Sequence, residues 1–252
     1  MTSLLAGNII SQRYDNLKNR ACFVGKDITI AKLLLSSSAL IYHMRFKDRA
    51  EAGRRLAEAL RSYRGEGAVI YALPRGGVVL GYEISKELEA PLDLVITRKI
   101  GYPGNEECAV CAVAEDGHMI CDQSVVHLLD KEWLKGQADK EMQEARRRRE
   151  VYLKGREHLS ANGRTAIIVD DGVATGLTII LAIREIKHQN PKKIIVAVPV
   201  ASVDASERVR EEADELVALE VPLYFQAVGA HYQSFPQLVD EEVIRIMDAA
   251  RR

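Results

Sequence analysis

Short apolar runs alternate with segments of helical periodicity along most of the chain. The runs that predict strands lie at residues 68–73, 92–97, 165–169, 193–198 and 215–219. Apolar residues recur at helical spacing between several of these runs, for example at 78–88 and 177–188. Continuous apolar strands separated by helices predict an α/β fold, with a parallel twisted sheet flanked by helices on both faces. Ligands of such sheets bind at the carboxyl ends of the strands.

Two segments depart from this alternation. Residues 108–114 and 118–121 flank Asp116-Gly117, a strong turn signal, and predict a hairpin. Residues 124–159 are helical in pattern and highly charged. Within them the run Arg146–Arg149 lies among glutamates, which favours a solvated, salt-bridged helix face. Binding of a phosphorylated ligand or a partner by this run stays open as the alternative.

The first 43 residues have a composition of their own. They contain five of the 35 lysines and arginines but only two of the 36 acidic residues, in a chain whose net charge is −1. We expect residues 1–43 to be a leader, either disordered or the product of an over-extended start, and residues 44–252 to be the folded domain. Residues 28–42 are apolar but too short and interrupted for a membrane helix. Asp48, with Glu51 three residues later, predicts the start of the first helix of the domain.

Composition and charge exclude several classes of protein. A hydrophobic fraction of 47% and a charged fraction of 28% are globular values, so the chain as a whole is not disordered. A near-neutral charge argues against sequence-blind nucleic-acid binding, which needs a basic face. Four cysteines are too few for a disulfide-stabilised scaffold, so we expect a reducing, cytoplasmic location. Cys108 and Cys111 have partial zinc spacing, but the second ligand pair is missing.

The strongest chemical signal follows the run 165–169. The sequence there is Ile167-Ile168-Val169-Asp170-Asp171-Gly172-Val173-Ala174-Thr175-Gly176-Leu177-Thr178. Two adjacent carboxylates at the end of a buried strand suit the two vicinal hydroxyls of a ribose, each of which must donate. The glycines allow backbone N–H groups to converge, and the following helix N-terminus favours an anion. The segment therefore predicts a sugar-phosphate site, with the diol at one end and the 5′-phosphate at the other.

This stretch resembles the signature of the type I phosphoribosyltransferases, which bind phosphoribosyl pyrophosphate (PRPP). That signature has four hydrophobic residues, two acids, a short loop and Thr-Gly-x-Thr, and all of these elements occur here. The resemblance covers most of residues 44–252 and implies the type I fold, with a hairpin lid region, a long charged helix and a small C-terminal hood. It also implies PRPP and a small-molecule acceptor as substrates, Mg²⁺ as the cofactor, and a role in nucleotide metabolism or nucleoside salvage.

Two further segments fit the resemblance. Leu73–Gly77 looks like the pyrophosphate loop of the family, which often holds a cis peptide, here at Pro74–Arg75 or Arg75–Gly76. Arg98-Lys99, at the end of the second strand, would face the same crevice and neutralise the pyrophosphate. Residues 101–107 then form a loop with the composition of a lid. The residues to which the resemblance gives PRPP contacts are Arg75, Gly76, Gly77, Arg98, Gly172, Val173, Ala174, Thr175, Gly176, Leu177 and Thr178.

The implied reaction displaces pyrophosphate from C1 of the ribose through an oxocarbenium-like state. Asp170 and Asp171 would fix the ring and bind the metal, mainly through PRPP, while Lys99 would neutralise the leaving group. Family members that act on 6-oxopurines usually have a third acid where this chain has Ala174, so the loop is closer to the adenine type. Acid or base chemistry then falls to Glu107, or to Glu106, and solvated loop carboxylates are the alternative interpretation.

The acceptor would meet the segment that follows the last strand. Phe225 and Tyr232 are the candidates for stacking on a base, and a packed C-terminal flap is the alternative. The resemblance therefore predicts a phosphoribosyltransferase with a nitrogenous acceptor, acting without nucleic acid or membrane. A PRPP-sensing module without turnover and another sugar-phosphate enzyme stay open, and a homodimer is one alternative for the oligomeric state.

Overall fold

The computed structural model describes residues 46–250, without the side chains of Glu106 and Glu107. The predicted leader, residues 1–43, and its boundary at Met44 lie outside the described residues. The strands are β1 (Val69–Ala72), β2 (Leu92–Leu94), β3 (Thr97–Tyr102), β4 (Asn105–Ala114), β5 (Met119–Cys121), β6 (Thr165–Val169), β7 (Lys193–Val200) and β8 (Glu215–Glu220). The helices are α1 (Arg49–Ala59), α2 (Gly77–Leu88), α3 (Lys131–Leu153), α4 (Leu177–Lys187), α5 (Val203–Glu212) and α6 (Asp240–Ala249).

The predicted parallel sheet is present, in the order β2-β1-β6-β7-β8. Alternate residues of its strands enter two separate apolar cores because successive side chains of a strand point to opposite faces. Ile70 and Ile167 pack in the core that includes α1, α2 and α6. Tyr71 and Ile168 pack in the core that includes α4 and α5. The α/β prediction is therefore confirmed, since both faces of the sheet are covered by helices.

The first helix begins as the sequence predicts. The side chain of Asp48 accepts a hydrogen bond of 2.8 Å from the backbone N–H of Glu51. That bond satisfies one of the donors that the first turn of a helix leaves without an intrahelical partner. The cap fixes where α1 starts, and it thereby places Arg49 at the first helical position.

The prediction of a single strand over residues 92–97 is wrong in its extent, since β2 ends at Leu94. The chain leaves the main sheet after β2, and residues 97–102 continue as β3 of a second, antiparallel sheet, β3-β4-β5. The predicted loop at 101–107 is instead a hairpin, in which Tyr102 pairs with Asn105 across a two-residue turn. Gly104 adopts a φ of +80° there. The glycine, proline and asparagine residues of this segment correctly indicated a turn. Because that turn takes only two residues, the rest of the segment pairs as strand.

The hairpin over 108–121 is confirmed, and it brings together two cysteines. Cys111 of β4 pairs directly with Cys121 of β5, and the two form a disulfide. The expectation of reduced thiols rested on the number of cysteines, which carries no information about strand register. Register is set by the turn, in which Ala114 accepts a hydrogen bond from Gly117. Cys108 is exposed and forms no disulfide with another cysteine of the described residues.

The long charged helix is confirmed, but it is shorter than predicted. It is α3, and Lys154 ends it in the left-handed conformation, with a φ of +49°. The arginine run is only partly solvated: Arg148 is 8% exposed and donates to Glu144 at 2.7 Å. Arg147 reaches Asp240 of α6 at 2.8 Å, so the run ties α3 to its neighbours. No helix within residues 46–250 is long and apolar enough to cross a membrane.

Candidate functional site

The signature loop follows β6 at the carboxyl edge of the main sheet and ends where α4 begins. Hydrogen bonds with neighbouring elements hold its backbone. Val173 N–H donates to the carbonyl of Val200, the Ser202 hydroxyl to the carbonyl of Ala174, and Arg208 to the carbonyl of Thr175. These contacts leave Ala174 and Thr175 exposed. Among the described residues no side chain caps the start of α4 at Gly176, which has a φ of +82°. The arrangement presents backbone donors and a helix N-terminus to an anion.

The pyrophosphate-loop segment lies beside the signature loop, because β1 and β6 are adjacent strands. The Pro74–Arg75 peptide bond is cis, the first of the two predicted alternatives. A Cβ atom at Gly76 would overlap the carboxylate of Asp171, and one at Gly77 would lie 2.5 Å from the carbonyl oxygen of Val169. Both glycines are therefore required by the close approach of the two loops and not by an unusual φ.

The two signature carboxylates have different surroundings. Asp170 accepts a hydrogen bond of 2.8 Å from the backbone N–H of Asp171. The Asp171 carboxylate accepts one of 2.7 Å from Nε of Arg49, and its carbonyl accepts one of 2.6 Å from the hydroxyl of Tyr232. Asp171 is thus fixed at both its side chain and its backbone.

Burial raises the pKa of both carboxyls. For Asp170 the negative charge of Asp171 adds to the effect of burial, and the pKa lies well above its usual range. For Asp171 burial outweighs the opposing charge of Arg49, so its pKa is raised as well. Full ionisation of the pair is therefore disfavoured unless a further positive charge lies beside it. Carboxylate oxygens are the ligands that Mg²⁺ prefers, so the donor set fits this ion.

Arg98 and Lys99, the two predicted cations, are adjacent in β3. Their side chains therefore point to opposite faces of the second sheet. Arg98 pairs with Glu141 of α3 at 2.7 Å. Lys99 pairs in register with Ala112, which packs against α4, and Thr97 on the same face lies 3.4 Å from the carbonyl of Thr178. Arg98 and Lys99 nevertheless line one pocket, together with Trp133 and Glu141 of α3. That both meet the substrate stays a prediction, and Lys99 is the one on the side of the signature loop.

Arg75 lies near an acid that the sequence did not indicate. Its Nη1 is 3.7 Å from Oδ1 of Asp240, at the start of α6. The same carboxylate accepts hydrogen bonds from Tyr152 at 2.6 Å and from Arg147 at 2.8 Å. Burial would raise the pKa of Asp240, but these hydrogen bonds outweigh it and the pKa is lowered. A charged carboxylate therefore lies beside the arginine that we assigned to pyrophosphate.

The acceptor candidates differ in what covers them. Tyr232 is 5% exposed, and its ring packs against Phe46 at 5.5 Å and Phe235 at 4.7 Å between centroids. Phe225 is half-buried and stacks on His231 at 5.7 Å. The packing of Tyr232 supports a structural role, so Phe225 is the better placed of the two for a base. Glu107 belongs to β4, but its side chain lies outside the described residues.

No sequence motif indicated Arg49, which contacts Asp171 from a position 122 residues away. Nor did any motif indicate a second group of potential metal ligands, formed by Asp116, His118 and Glu185. His118 Nδ1 lies 2.8 Å from Asp116 and 3.1 Å from Glu185. Asp116 and His118 are exposed, and the hydrogen bonds within the group already explain its geometry.

Comparisons with known proteins agree with this geometry. Residues 45–234 match the phosphoribosyl transferase domain family. The chain is 40% identical over 209 residues to proteins of two Mycobacterium tuberculosis strains, CDC 1551 and H37Rv, whose names assign them provisionally to the phosphoribosyl transferases. That match covers 82% of this chain but 47% of those relatives, so the chain spans about half of their length.

A solved structure agrees as well. The crystal structure of TT1426 from Thermus thermophilus superposes with a TM-score of 0.68 at 42% identity, covering 81% of this chain and 98% of that one. Its fold confirms the predicted type I architecture. Since the family match extends over most of the chain, this protein belongs to the phosphoribosyl transferase domain family.

Proposed function

We propose that the protein is a Mg²⁺-dependent phosphoribosyltransferase that transfers the 5-phosphoribosyl group from PRPP to a nitrogenous acceptor and releases pyrophosphate. The observation that carries this proposal is the direct contact between the signature loop and the loop at Leu73–Gly77. Both end at the same edge of the sheet, and Gly76 lies against Asp171. A ligand that has a sugar diol between two phosphate groups matches that arrangement.

Each part of the substrate has residues suited to it. The backbone of 172–178 and the N-terminus of α4 would bind the 5′-phosphate. Asp170 and Asp171 would face the ribose and stabilise the positive charge that develops on the ring. Arg75 and Lys99 would neutralise the departing pyrophosphate, with Arg75 exchanging Asp240 for the substrate. Mg²⁺, when bound, would offset further negative charge on the pyrophosphate.

The hairpin β3-β4 is the element suited to exclude water, which would otherwise hydrolyse PRPP. It begins beside the signature loop, where Thr97 lies next to Thr178. Glu107 lies on this hairpin, so it remains our proposed general base. Ala174 at the position of a third acid favours an acceptor of the adenine type over a 6-oxopurine, and Phe225 would stack on it.

The proposal is tested by incubating the full chain with PRPP, Mg²⁺ and a panel of purine and pyrimidine bases, with released pyrophosphate as the readout. We expect release with at least one base, and a loss of about 100-fold in Asp170→Asn. Asp139→Asn, which changes an exposed acid of α3, is the matched control and should leave release unchanged. If the chain binds PRPP but releases pyrophosphate with none of the bases, the proposal of an enzyme is overturned and the PRPP-sensing module is favoured.

Calorimetry with PRPP and Mg²⁺ tests the binding step by itself. Failure of the wild-type chain to bind PRPP would contradict both the enzyme and the sensing module. A cytoplasmic location, a role in salvage and a homodimer remain predictions.

A further inference from the structure

Arg49 makes three contacts that meet at the edge of the proposed site. Its Nε donates to Oδ2 of Asp171 at 2.7 Å, and its Nη1 donates to the carbonyl of Pro236 at 2.7 Å. The guanidinium also lies 3.7 Å above the ring of Phe235. The residue is 8% exposed. A buried arginine that is held on three sides has little conformational freedom, so it fixes its partners relative to one another.

The segment before Arg49 is bound to the same C-terminal region, residues 231–236. Phe46 N–H donates to the carbonyl of His231, and Gln233 N–H donates to the carbonyl of Phe46. Ser234 N–H donates to the carbonyl of Lys47. The start of the domain and the region 231–236 therefore form one hydrogen-bonded unit, and Arg49 connects that unit to Asp171.

Asp171 is in turn packed against the pyrophosphate loop. The space that a Cβ atom of Gly76 would need is occupied by the Asp171 carboxylate. Any movement of this carboxylate is consequently transmitted to the loop at 73–77. The 5′-phosphate end of the signature loop is held differently, by Ser202 and Arg208, neither of which contacts Arg49 in the hydrogen bonds of the described residues.

We propose that Arg49 is a positioning residue, which holds the Asp171 carboxylate against Gly76 and so sets the shape of the pyrophosphate loop. The inference rests on the proposed function, because it assigns Arg49 to one half of the PRPP site. It also separates the roles of the signature acids: Asp171 supports the loop through Arg49, whereas Asp170 lacks this tie. The site then depends on residues 46–49, which no signature motif includes.

The test compares binding of two fragments of PRPP by calorimetry: pyrophosphate with Mg²⁺, and ribose 5-phosphate. Arg49→Met removes the charge and the donors but keeps an apolar stem over Phe235. We expect it to weaken pyrophosphate binding by about 10-fold or more, and ribose 5-phosphate binding by less than about 3-fold. Arg49→Lys restores the charge and one donor, so it should recover part of the pyrophosphate affinity. Arg54→Met, an exposed arginine of the same helix, is the matched control and should change neither affinity.

The double variant Arg49→Met with Asp171→Asn separates positioning from a general loss of stability. If Arg49 acts through Asp171, the double variant should bind pyrophosphate no more than about 3-fold more weakly than the weaker single variant. Equal weakening of both fragments in Arg49→Met, or no change in pyrophosphate affinity, would overturn the inference while leaving the proposed function intact. Should Arg49→Met fail to fold, the affinities of Arg49→Lys and Asp171→Asn for pyrophosphate and for ribose 5-phosphate test the inference instead. A wild-type chain that binds neither fragment would overturn the proposed function and this inference together.

Discussion

Gly76 and Asp171 lie so close together that the carboxylate of Asp171 occupies the place of a Cβ atom on Gly76. The two residues belong to loops that follow neighbouring parallel strands, β1 and β6. Gly76 has a φ of −61°, which any residue can adopt. The glycine is thus required by the proximity of the carboxylate and not by its own backbone conformation. The contact joins the two halves of the proposed PRPP site.

Gly76→Ala should weaken PRPP binding by about 10-fold or more, because the added methyl group must displace the Asp171 carboxylate or the loop. Calorimetry with PRPP and Mg²⁺ measures this effect. Gly136→Ala is the matched control: Gly136 lies in α3, and a Cβ there would meet no atom within 4 Å. It should raise the free energy of unfolding by about 0.5–1 kcal/mol and leave PRPP affinity unchanged. Unchanged PRPP affinity in Gly76→Ala would contradict the contact.

Lys99→Ala should lower the rate of pyrophosphate release by about 100-fold, because the cation on the signature-loop face would neutralise the leaving group. Its exposed position predicts little change in the melting temperature. Arg98→Ala should act mainly on stability, with a loss of up to about 1 kcal/mol from the part-exposed ion pair with Glu141. Rate assays and thermal melts of the two variants distinguish these effects. A larger rate loss in Arg98→Ala than in Lys99→Ala would reverse the assignment.

The stability that the contact between the β4-β5 turn and α4 contributes should depend on pH. Asp116 and Glu185 both face His118 and raise its pKa, and the ring of His188 stacks on it at 5.5 Å. A raised pKa in the folded state means that the stabilising contribution is complete below the unfolded value, about 6.5, and is lost as the pH rises through the folded value.

The difference in melting temperature between the wild type and His118→Gln should therefore be largest near pH 5.5, about one unit below the ordinary histidine pKa, and disappear near pH 9, about 2.5 units above it. Asp116→Asn should reduce that difference, because it removes the largest cause of the shift in the His118 pKa. Burial raises the pKa of Glu185 in spite of its pairing with His118, so only the comparison between variants isolates the histidine. A difference that grows with pH would contradict this account.

Asp93 is a buried carboxylate that anchors the segment between α3 and β6 onto strand β2. It is 2% exposed and accepts from Leu94 N–H, Leu159 N–H and His158 Nδ1 at 2.7–2.8 Å. Asp93→Ala should cost about 2–4 kcal/mol of unfolding free energy, because it leaves the buried N–H of Leu94 and the part-buried N–H of Leu159 without an acceptor. Asp130→Ala, which removes the exposed cap of α3, should cost about 1 kcal/mol. Urea unfolding measures both, and equal losses would contradict the role of Asp93.

The sequence by itself determined the features that depend on contiguous residues. A buried strand, two acids, a glycine loop and a helix start follow one another from Thr165 to Thr178, so backbone connectivity alone places them at the edge of the sheet. The same holds for the loop at Leu73–Gly77 and for the Asp48 cap. Periodicity identified the helices and most strands, because burial on a helix or a strand repeats with a fixed spacing.

Only the tertiary structure decided which distant side chains meet. The division of Arg98 from Lys99 depends on β3 being a strand of the second sheet, and the pairing of Cys111 with Cys121 depends on strand register. The contact of Arg49 with Asp171 joins residues 122 positions apart. Such contacts follow from how helices and sheets pack, which hydrophobic patterning leaves open. The sequence therefore determined the signature loop of the proposed sugar-phosphate site. The packing of α1 and residues 231–236 decided which side chains support that loop.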